Sequence, residues 1–219
     1  MESLNDFLIQ KPRPLPVIVA IDKSGSMGEN GKIEALNIAL KEFINSVKSE
    51  DSNKAEIQIS LFSFGGDKAS CDLPLKPINE IDVPTYSAAG RTPMGGVFTM
   101  LKELIEDKTL IPSRSYKPTI VLLTDGIPTD AWENPMMELI NDGRSSKAFR
   151  IAMAIGDDAD KNMLSKFVSS PEYLVTGENA RDIRKFFRFV TMSVTQRMKS
   201  QTPDMQQVPQ MPDDDTLDF

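Results

Sequence analysis

The fold of this chain is decided by one stretch of sequence, Pro16-Val17-Ile18-Val19-Ala20-Ile21-Asp22-Lys23-Ser24-Gly25-Ser26. Its first part is a nearly unbroken apolar run dominated by β-branched residues. Such a run predicts a strand that is buried on both faces, in the middle of a parallel sheet. A polar loop with glycine follows, and residues 32–48 then carry apolar side chains at helical spacing. The first unit is therefore a strand that ends in an aspartate, then a loop, then a helix.

The same alternation continues along the chain. Residues 119–125 repeat the buried-strand pattern and again end in an aspartate, Asp125. Further strands are predicted over residues 56–64, 149–155 and 173–175, with residues 69–75 as a candidate antiparallel edge strand. Helices are predicted over residues 93–106, 136–142, 161–168 and 180–198. Strands that alternate with helices predict an α/β fold, a Rossmann-like, doubly wound and mostly parallel sheet flanked by helices.

Length and charge indicate how the chain is divided. Its 219 residues suit one domain, which we place at residues 14–199, after an N-terminal arm at 1–13. Residues 200–219 hold five aspartates and no Lys or Arg, which predicts an acidic, disordered tail. The formal net charge is -7, so the rest of the chain carries only -2. That balance argues against a nucleic-acid-binding module, which normally has a basic patch.

Three features predict a cytoplasmic protein. No apolar run approaches the roughly 18 residues that a membrane span needs. The N-terminus, MESLNDFLIQKPRP, lacks the basic-then-apolar order of a secretory signal. The single cysteine, Cys71, cannot form an internal disulfide, which fits a reducing compartment.

The chain contains no histidine. This excludes Ser-His-Asp and Cys-His mechanisms and every zinc site that uses a histidine ligand. A metal ion in this protein would be held by oxygen atoms, which favours Mg²⁺, Ca²⁺ or Mn²⁺.

Oxygen-bearing side chains occur where the predicted sheet would bind a ligand, beyond the carboxyl ends of its strands. The first strand is followed by the pattern D-x-S-x-S, formed by Asp22, Ser24 and Ser26. Thr92 stands just before a predicted helix, and Asp125 ends the later buried strand. Each group alone is also typical of turns and helix caps. Together they provide enough oxygen atoms for one hard cation.

In this arrangement the sequence resembles the von Willebrand factor type A family and its metal-ion-dependent adhesion site. The family pattern, D-x-S-x-S, then T, then D, falls on Asp22, Ser24, Ser26, Thr92 and Asp125. The resemblance implies that the two serines bind the metal directly and the two aspartates largely through water. Thr92 would bind directly when the site is engaged. One open coordination position would take an Asp or Glu carboxylate from a protein partner, with Mg²⁺ as the expected metal and Mn²⁺ or Ca²⁺ as alternatives.

Three loop sequences resemble, more narrowly, the bacterial tellurite-resistance-associated group of these domains. They are Val-Ile-Val-Ala-Ile-Asp-Lys-Ser-Gly-Ser-Met, Ser-Ala-Ala-Gly-Arg-Thr-Pro-Met-Gly and Leu-Leu-Thr-Asp-Gly-Ile-Pro-Thr-Asp. This resemblance implies a role in a bacterial stress-response, defence or phospho-signalling system. A protein kinase and a PP2C-type phosphatase are the partners that it implies.

Three other features of the sequence point to alternative functions. Asp22 could be the nucleophile of a metal-dependent phosphohydrolase, but Ser24 stands where a second acid would be needed. The segment from Gly28 to Lys32 resembles a phosphate loop without meeting its spacing. The acids at 157, 158 and 160 could bind calcium or begin a helix. We therefore expect an adaptor or scaffold rather than an enzyme.

Overall fold

A six-stranded sheet forms the centre of the protein in a computed structural model that describes residues 12–50, 55–205 and 209. The strand order is β3-β2-β1-β4-β5-β6, and every neighbouring pair is parallel except β2 and β3. The strands are β1 (Arg13–Asp22), β2 (Ala55–Gly65), β3 (Lys68–Pro77), β4 (Thr119–Thr124), β5 (Phe149–Ile155) and β6 (Leu174–Gly177).

Within the described residues, five α-helices cover the two faces of the sheet. They are α1 (Lys32–Lys48), α2 (Met94–Glu106), α3 (Glu133–Asn141), α4 (Lys161–Phe167) and α5 (Ala180–Lys199). Phe43 of α1 packs on Phe187 of α5, and Phe98 of α2 stacks on Phe167 of α4. The helices thus form two groups, and the sheet is buried between them.

The central position of β1 and β4 follows from their sequences. Every residue of β1 after Arg13 is buried, and so is every residue of β4. Polar side chains on either face would be desolvated there, so only continuous apolar runs suit these two places. Because β1 and β4 are parallel, Asp22 and Asp125 emerge at the same edge of the sheet.

The structure confirms the predicted fold class and the antiparallel edge strand. Many element boundaries differ from the sequence-based ones by one to three residues, and two of these differences involve a proline. α2 begins at Met94, so Pro93 precedes the helix instead of opening it. α3 begins at Glu133, three residues earlier than expected, with Pro135 in its first turn. A proline is tolerated there because the first backbone N–H groups of a helix have no intrahelical acceptor.

The packed part of the chain continues past residue 199, where the sequence suggested that a disordered tail begins. Asp204 accepts a hydrogen bond from the backbone N–H of Lys117 at 2.8 Å. Arg197 donates to the carbonyl groups of Pro203 and Lys117 and stacks 4.2 Å from the ring centroid of Phe149. The aspartates from 213 onward and most of the predicted arm lie outside the described residues.

Among the residues that the structure describes, no helix is both long and apolar enough to cross a membrane.

Candidate metal centre

The Asp22 carboxylate forms the buried base of the site at the end of β1. Its side chain is excluded from solvent. One oxygen accepts a hydrogen bond from the backbone N–H of Ser24 at 2.7 Å, and the other accepts from the Thr124 hydroxyl at 2.5 Å. Asp22 therefore shapes the loop that follows β1 and ties it to the end of β4.

A chain of hydrogen bonds joins both serines to the second aspartate. The hydroxyl oxygens of Ser24 and Ser26 lie 3.1 Å apart, and Ser26 donates to Asp125 Oδ1 at 2.7 Å. Ser24 and Asp125 are each about 2% exposed, while Ser26 is half-buried. Two neutral hydroxyls and one carboxylate thus meet at the carboxyl ends of β1 and β4.

Thr92 reaches the same edge from the loop before α2. Its backbone N–H donates to the Thr129 hydroxyl at 3.1 Å, and its carbonyl accepts from the N–H of Thr129 at 2.9 Å. A Cβ atom added to Gly126 would lie 3.4 Å from Thr92 Oγ1. Thr92 is therefore placed beside Asp125, and the five predicted residues occupy one end of the sheet.

Backbone hydrogen bonds hold the three loops of the site together. Gly25 donates to the Gly90 carbonyl at 2.9 Å, and Ala89 donates to the Lys23 carbonyl at 2.8 Å. Gly90 has φ +69, and a Cβ atom there would lie 2.4 Å from Gly66 Cα. Only glycine fits this combination of left-handed backbone and close approach.

Burial raises the pKa of Asp22 to about 6, against the lowering effect of the hydrogen bonds from Thr124 and Ser24. The negative charge of Asp125 raises it further. A nearby cation would favour the ionised form of this carboxyl group, because it would offset the cost of desolvating the negative charge.

Three residues outside the predicted set complete the site. Lys32, at the start of α1, donates to Asp125 Oδ2 at 2.7 Å and to the Ser26 carbonyl at 3.4 Å. Thr124 binds Asp22 as described above. Asp130 accepts from the N–H groups of Gly95 and Gly96 at 2.8 and 3.1 Å, so it caps α2 next to Thr92. Apart from Lys32 and Ser26, which are six residues apart, the partners are 34 to 102 residues apart in the chain, so local sequence patterns give no sign of these contacts.

The donor set fits a hard divalent cation. Adjacent ligands of an octahedral Mg²⁺ ion, with bonds of about 2.0–2.1 Å, lie about 3.0 Å apart. The 3.1 Å between the oxygens of Ser24 and Ser26 matches this separation. The carboxylates of Asp22 and Asp125 are hydrogen-bonded to the loop that carries these hydroxyls, so their negative charge would also favour a bound cation.

The other acidic candidates do not form a second centre. Asp160 accepts from the N–H of Met163 at 2.9 Å and so caps α4, and Asp157 pairs with Lys161 at 3.3 Å. In the part of the chain with described coordinates, no group of three or more carboxylate or thiol side chains could hold a metal ion.

Residues 17–189 match the family model of the von Willebrand factor type A domain, which spans most of the chain. This chain belongs to the von Willebrand factor type A family. No curated protein sequence matches it significantly.

Several solved structures share the fold of this chain. The pilus adhesin SpaC from Lactobacillus rhamnosus GG is 14% identical with a TM-score of 0.70, covering 86% of this chain and 31% of SpaC. Proximal thread matrix protein 1 from the mussel byssus, with a zinc-occupied MIDAS motif, is 18% identical with a TM-score of 0.60, covering 84% and 46%. The vWF domain of the pili tip protein Mfa5 from Porphyromonas gingivalis is 10% identical with a TM-score of 0.62, covering 86% and 97%.

This chain spans less than half the length of the first two of these proteins. At such identities the likeness establishes the fold, and the assignment of the five site residues as metal ligands stays a prediction. The geometry adds that four of them are linked by direct hydrogen bonds through the Ser24 loop.

Proposed function

We propose that this chain is a protein-interaction module that uses a divalent cation to capture a carboxylate of its partner. The supporting observation is the hydrogen-bonded chain Ser24–Ser26–Asp125 at the carboxyl ends of β1 and β4. It brings two neutral hydroxyls and one carboxylate together, and the buried carboxylate of Asp22 is bonded to the backbone of Ser24. A cation bound there supplies an electrophilic position that a partner's Asp or Glu can complete.

The side chains of this site have distinct tasks in the proposal. Asp125 accepts a hydrogen bond from the Ser26 hydroxyl, which leaves a lone pair of the Ser26 oxygen free for a metal. Asp22 fixes the backbone of Ser24 and so aims its hydroxyl. Thr92 enters from a separate loop, which allows it to adjust when a partner engages the site.

The state of Asp22 favours binding over the phosphohydrolase alternative. A nucleophilic carboxylate needs an oxygen that a substrate can approach. Both Asp22 oxygens accept hydrogen bonds, and the residue is 0% exposed. The chain also has no histidine to act as a general acid or base near neutral pH.

Mg²⁺ is the metal we favour, with Mn²⁺ and Ca²⁺ as alternatives, because the donors are all oxygen atoms. Calorimetric titration of chelator-stripped protein tests this. We expect saturable one-site binding in the wild type that is lost in Asp22→Ala and Ser26→Ala. The matched control is Ser46→Ala, an exposed serine on α1. Absence of binding of all three ions to the wild type, both alone and in acetate, would contradict the proposed function.

The partner that we favour is a bacterial protein kinase or PP2C-type phosphatase, in a stress-response, defence or phospho-signalling system. This choice rests on the resemblance of three loops to the tellurite-resistance-associated group. The test is a pull-down with a purified protein kinase and a purified PP2C-type phosphatase from the source organism, with Mg²⁺ or with chelator. Capture should need the metal and be lost in Thr92→Ala, whose far-UV circular dichroism should match the wild type. Metal-independent capture by both proteins would refute the proposed mode.

A further inference from the structure

Lys32 places an ammonium group inside the predicted metal site. Its Nζ lies 2.7 Å from Asp125 Oδ2 and 3.4 Å from the carbonyl oxygen of Ser26. The side chain of Lys32 is 12% exposed and that of Asp125 is 0% exposed. This ion pair is therefore shielded from solvent, unlike the exposed pair of Lys161 with Asp157.

The position of Lys32 in its helix does not explain this contact. Lys32 is the first residue of α1, where the helix dipole disfavours a positive charge. An acid would be the stabilising choice at that place. Lys32 instead forms an ion pair with Asp125, which is 93 residues away in the chain.

We infer that Lys32 is a built-in counter-cation that weakens metal binding by the isolated protein and couples it to capture of a carboxylate partner. The inference rests on the proposed function. Asp22 and Asp125 together carry two negative charges, and Lys32 leaves the site with one. A divalent cation then gives the site a net charge of plus one, which a single partner carboxylate neutralises. Without Lys32 the metal-loaded site would already be neutral.

This charge balance predicts opposite effects on the two ligands. Loss of the lysine charge should strengthen metal binding, because a unit charge a few ångströms away in a partly buried site acts strongly on a divalent ion. It should also reduce the extent to which a carboxylate tightens metal binding, and by linkage the metal should promote carboxylate binding less.

Calorimetric titration with Mn²⁺ at about 0.15 M salt, where charges beyond about 8 Å are largely screened, tests the inference. The variants are Lys32→Met and Lys32→Gln, which remove the charge, and Lys32→Arg, which keeps it. Lys41→Met is the matched control, because Lys41 is an exposed residue of the same helix and gives the same change in net charge. We expect about tenfold tighter binding in the two neutral variants, and binding within about twofold of the wild type in the Arg variant and the control.

A second titration series in acetate, which stands in for the partner carboxylate, measures the coupling. Acetate should tighten Mn²⁺ binding clearly in the wild type and much less in Lys32→Met. Thermal unfolding adds an independent readout, because a metal-free Asp125 without its counter-charge is destabilising. The midpoint of Lys32→Met should be lower without metal and should rise more on adding Mn²⁺ than that of the wild type.

The outcomes separate the two proposals. Metal binding by the wild type with unchanged affinity in both neutral variants would overturn the role of Lys32 and leave the proposed function standing. An equal gain in Lys41→Met would overturn it too, since net charge would then suffice. Binding of Mn²⁺ by the neutral variants without acetate, together with binding by the wild type only in acetate, would support the inference in its strongest form. No binding in the wild type or the variants would overturn the metal site and the inference with it. If the neutral variants stayed unfolded even with Mn²⁺, Lys32 would have a purely structural role, and the inference would be overturned.

Discussion

The hydroxyl of Thr124 donates a hydrogen bond of 2.5 Å to Asp22 Oδ2, and this bond joins the carboxyl-terminal ends of β4 and β1. Both residues are fully buried. Thr124 also accepts from the N–H of Gly126 at 3.2 Å, so it connects the buried carboxylate to the loop that carries Asp125. The two strand ends that the sequence marks with Asp22 and Asp125 are thus one hydrogen-bonded unit in the structure.

Thr124→Val should test the importance of this unit. The replacement keeps the shape of the side chain but leaves the Asp22 carboxylate without one of its donors. A hydrogen bond to a charged group contributes about 1.5–3 kcal/mol. We expect a loss of about 2 kcal/mol in the free energy of unfolding of the metal-free protein and weaker Mn²⁺ binding. Urea denaturation and calorimetry measure these quantities.

The control for that experiment is Thr176→Val, an exposed threonine of β6. It should change stability by no more than about 0.5 kcal/mol, as is usual for exposed sites. Equal losses in the two variants would show that Thr124 contributes only strand propensity.

Stability of the metal-free protein should depend on the ionisation of Asp22. Burial raises its pKa in the folded state from 3.8 to about 6, so the folded state holds this proton more tightly than the unfolded chain does. The stabilisation is complete below about pH 4 and is lost as the pH rises through about 6. Each pKa unit corresponds to about 1.4 kcal/mol, so this group alone should lower the free energy of unfolding by on the order of 2–3 kcal/mol over that window.

Asp22→Asn isolates this effect, because the amide has nearly the same shape and does not titrate. We expect the wild type to lose stability relative to Asp22→Asn as the pH rises from 4 to 7. Urea denaturation with chelator measures the free energy of unfolding of both proteins. Metal affinity should change in the other direction, since a cation needs the ionised carboxylate. A difference that is flat with pH would contradict the raised pKa.

The sequence predicted the parts of the site that lie within one loop or at one strand end, but not the contacts between them. The apolar runs that end at Asp22 and Asp125 were sufficient to place both carboxylates at one edge, because buried parallel strands have few alternatives. Lys32 was visible only as part of an imperfect phosphate loop. Its pairing with Asp125 depends on how α1 leaves the sheet, which is a tertiary relationship. The same holds for Asp130, which caps a helix that precedes it in the chain.

A substitution at the end of the sheet opposite the metal site should lower the free energy of unfolding without changing metal affinity. Arg197 is 3% exposed and donates to Thr119, to the Lys117 carbonyl and to the Pro203 carbonyl. Arg197→Met leaves these acceptors without a donor, which should cost about 2–4 kcal/mol. Mn²⁺ affinity should stay within about twofold, because the site lies at the other end of the strands. Arg188→Met, an exposed arginine of α5, is the control and should be nearly neutral. A loss of metal affinity in folded Arg197→Met would mean that the two ends are coupled.

Alanine substitutions at two glycines distinguish the effect of backbone strain from the effect of close packing at the metal site. Gly31 and Gly90 have nearly the same φ, +71 and +69, but an added Cβ atom meets nothing within 4 Å at Gly31 and meets Gly66 Cα at 2.4 Å at Gly90. An alanine in the left-handed region costs about 1–2 kcal/mol, so Gly31→Ala should lose about that much stability. Gly90→Ala should lose clearly more, because the two backbones must also move apart.

That movement should reach the metal site, since Gly90 accepts the hydrogen bond of Gly25 between Ser24 and Ser26 and stands two residues before Thr92. We therefore expect Gly90→Ala to weaken Mn²⁺ binding at least tenfold and Gly31→Ala to leave it within about threefold, by calorimetry on samples that urea denaturation shows to be folded. If both variants lost the same stability, and both kept the metal, the close contact of Gly90 with Gly66 would not be what positions the loop that carries Thr92.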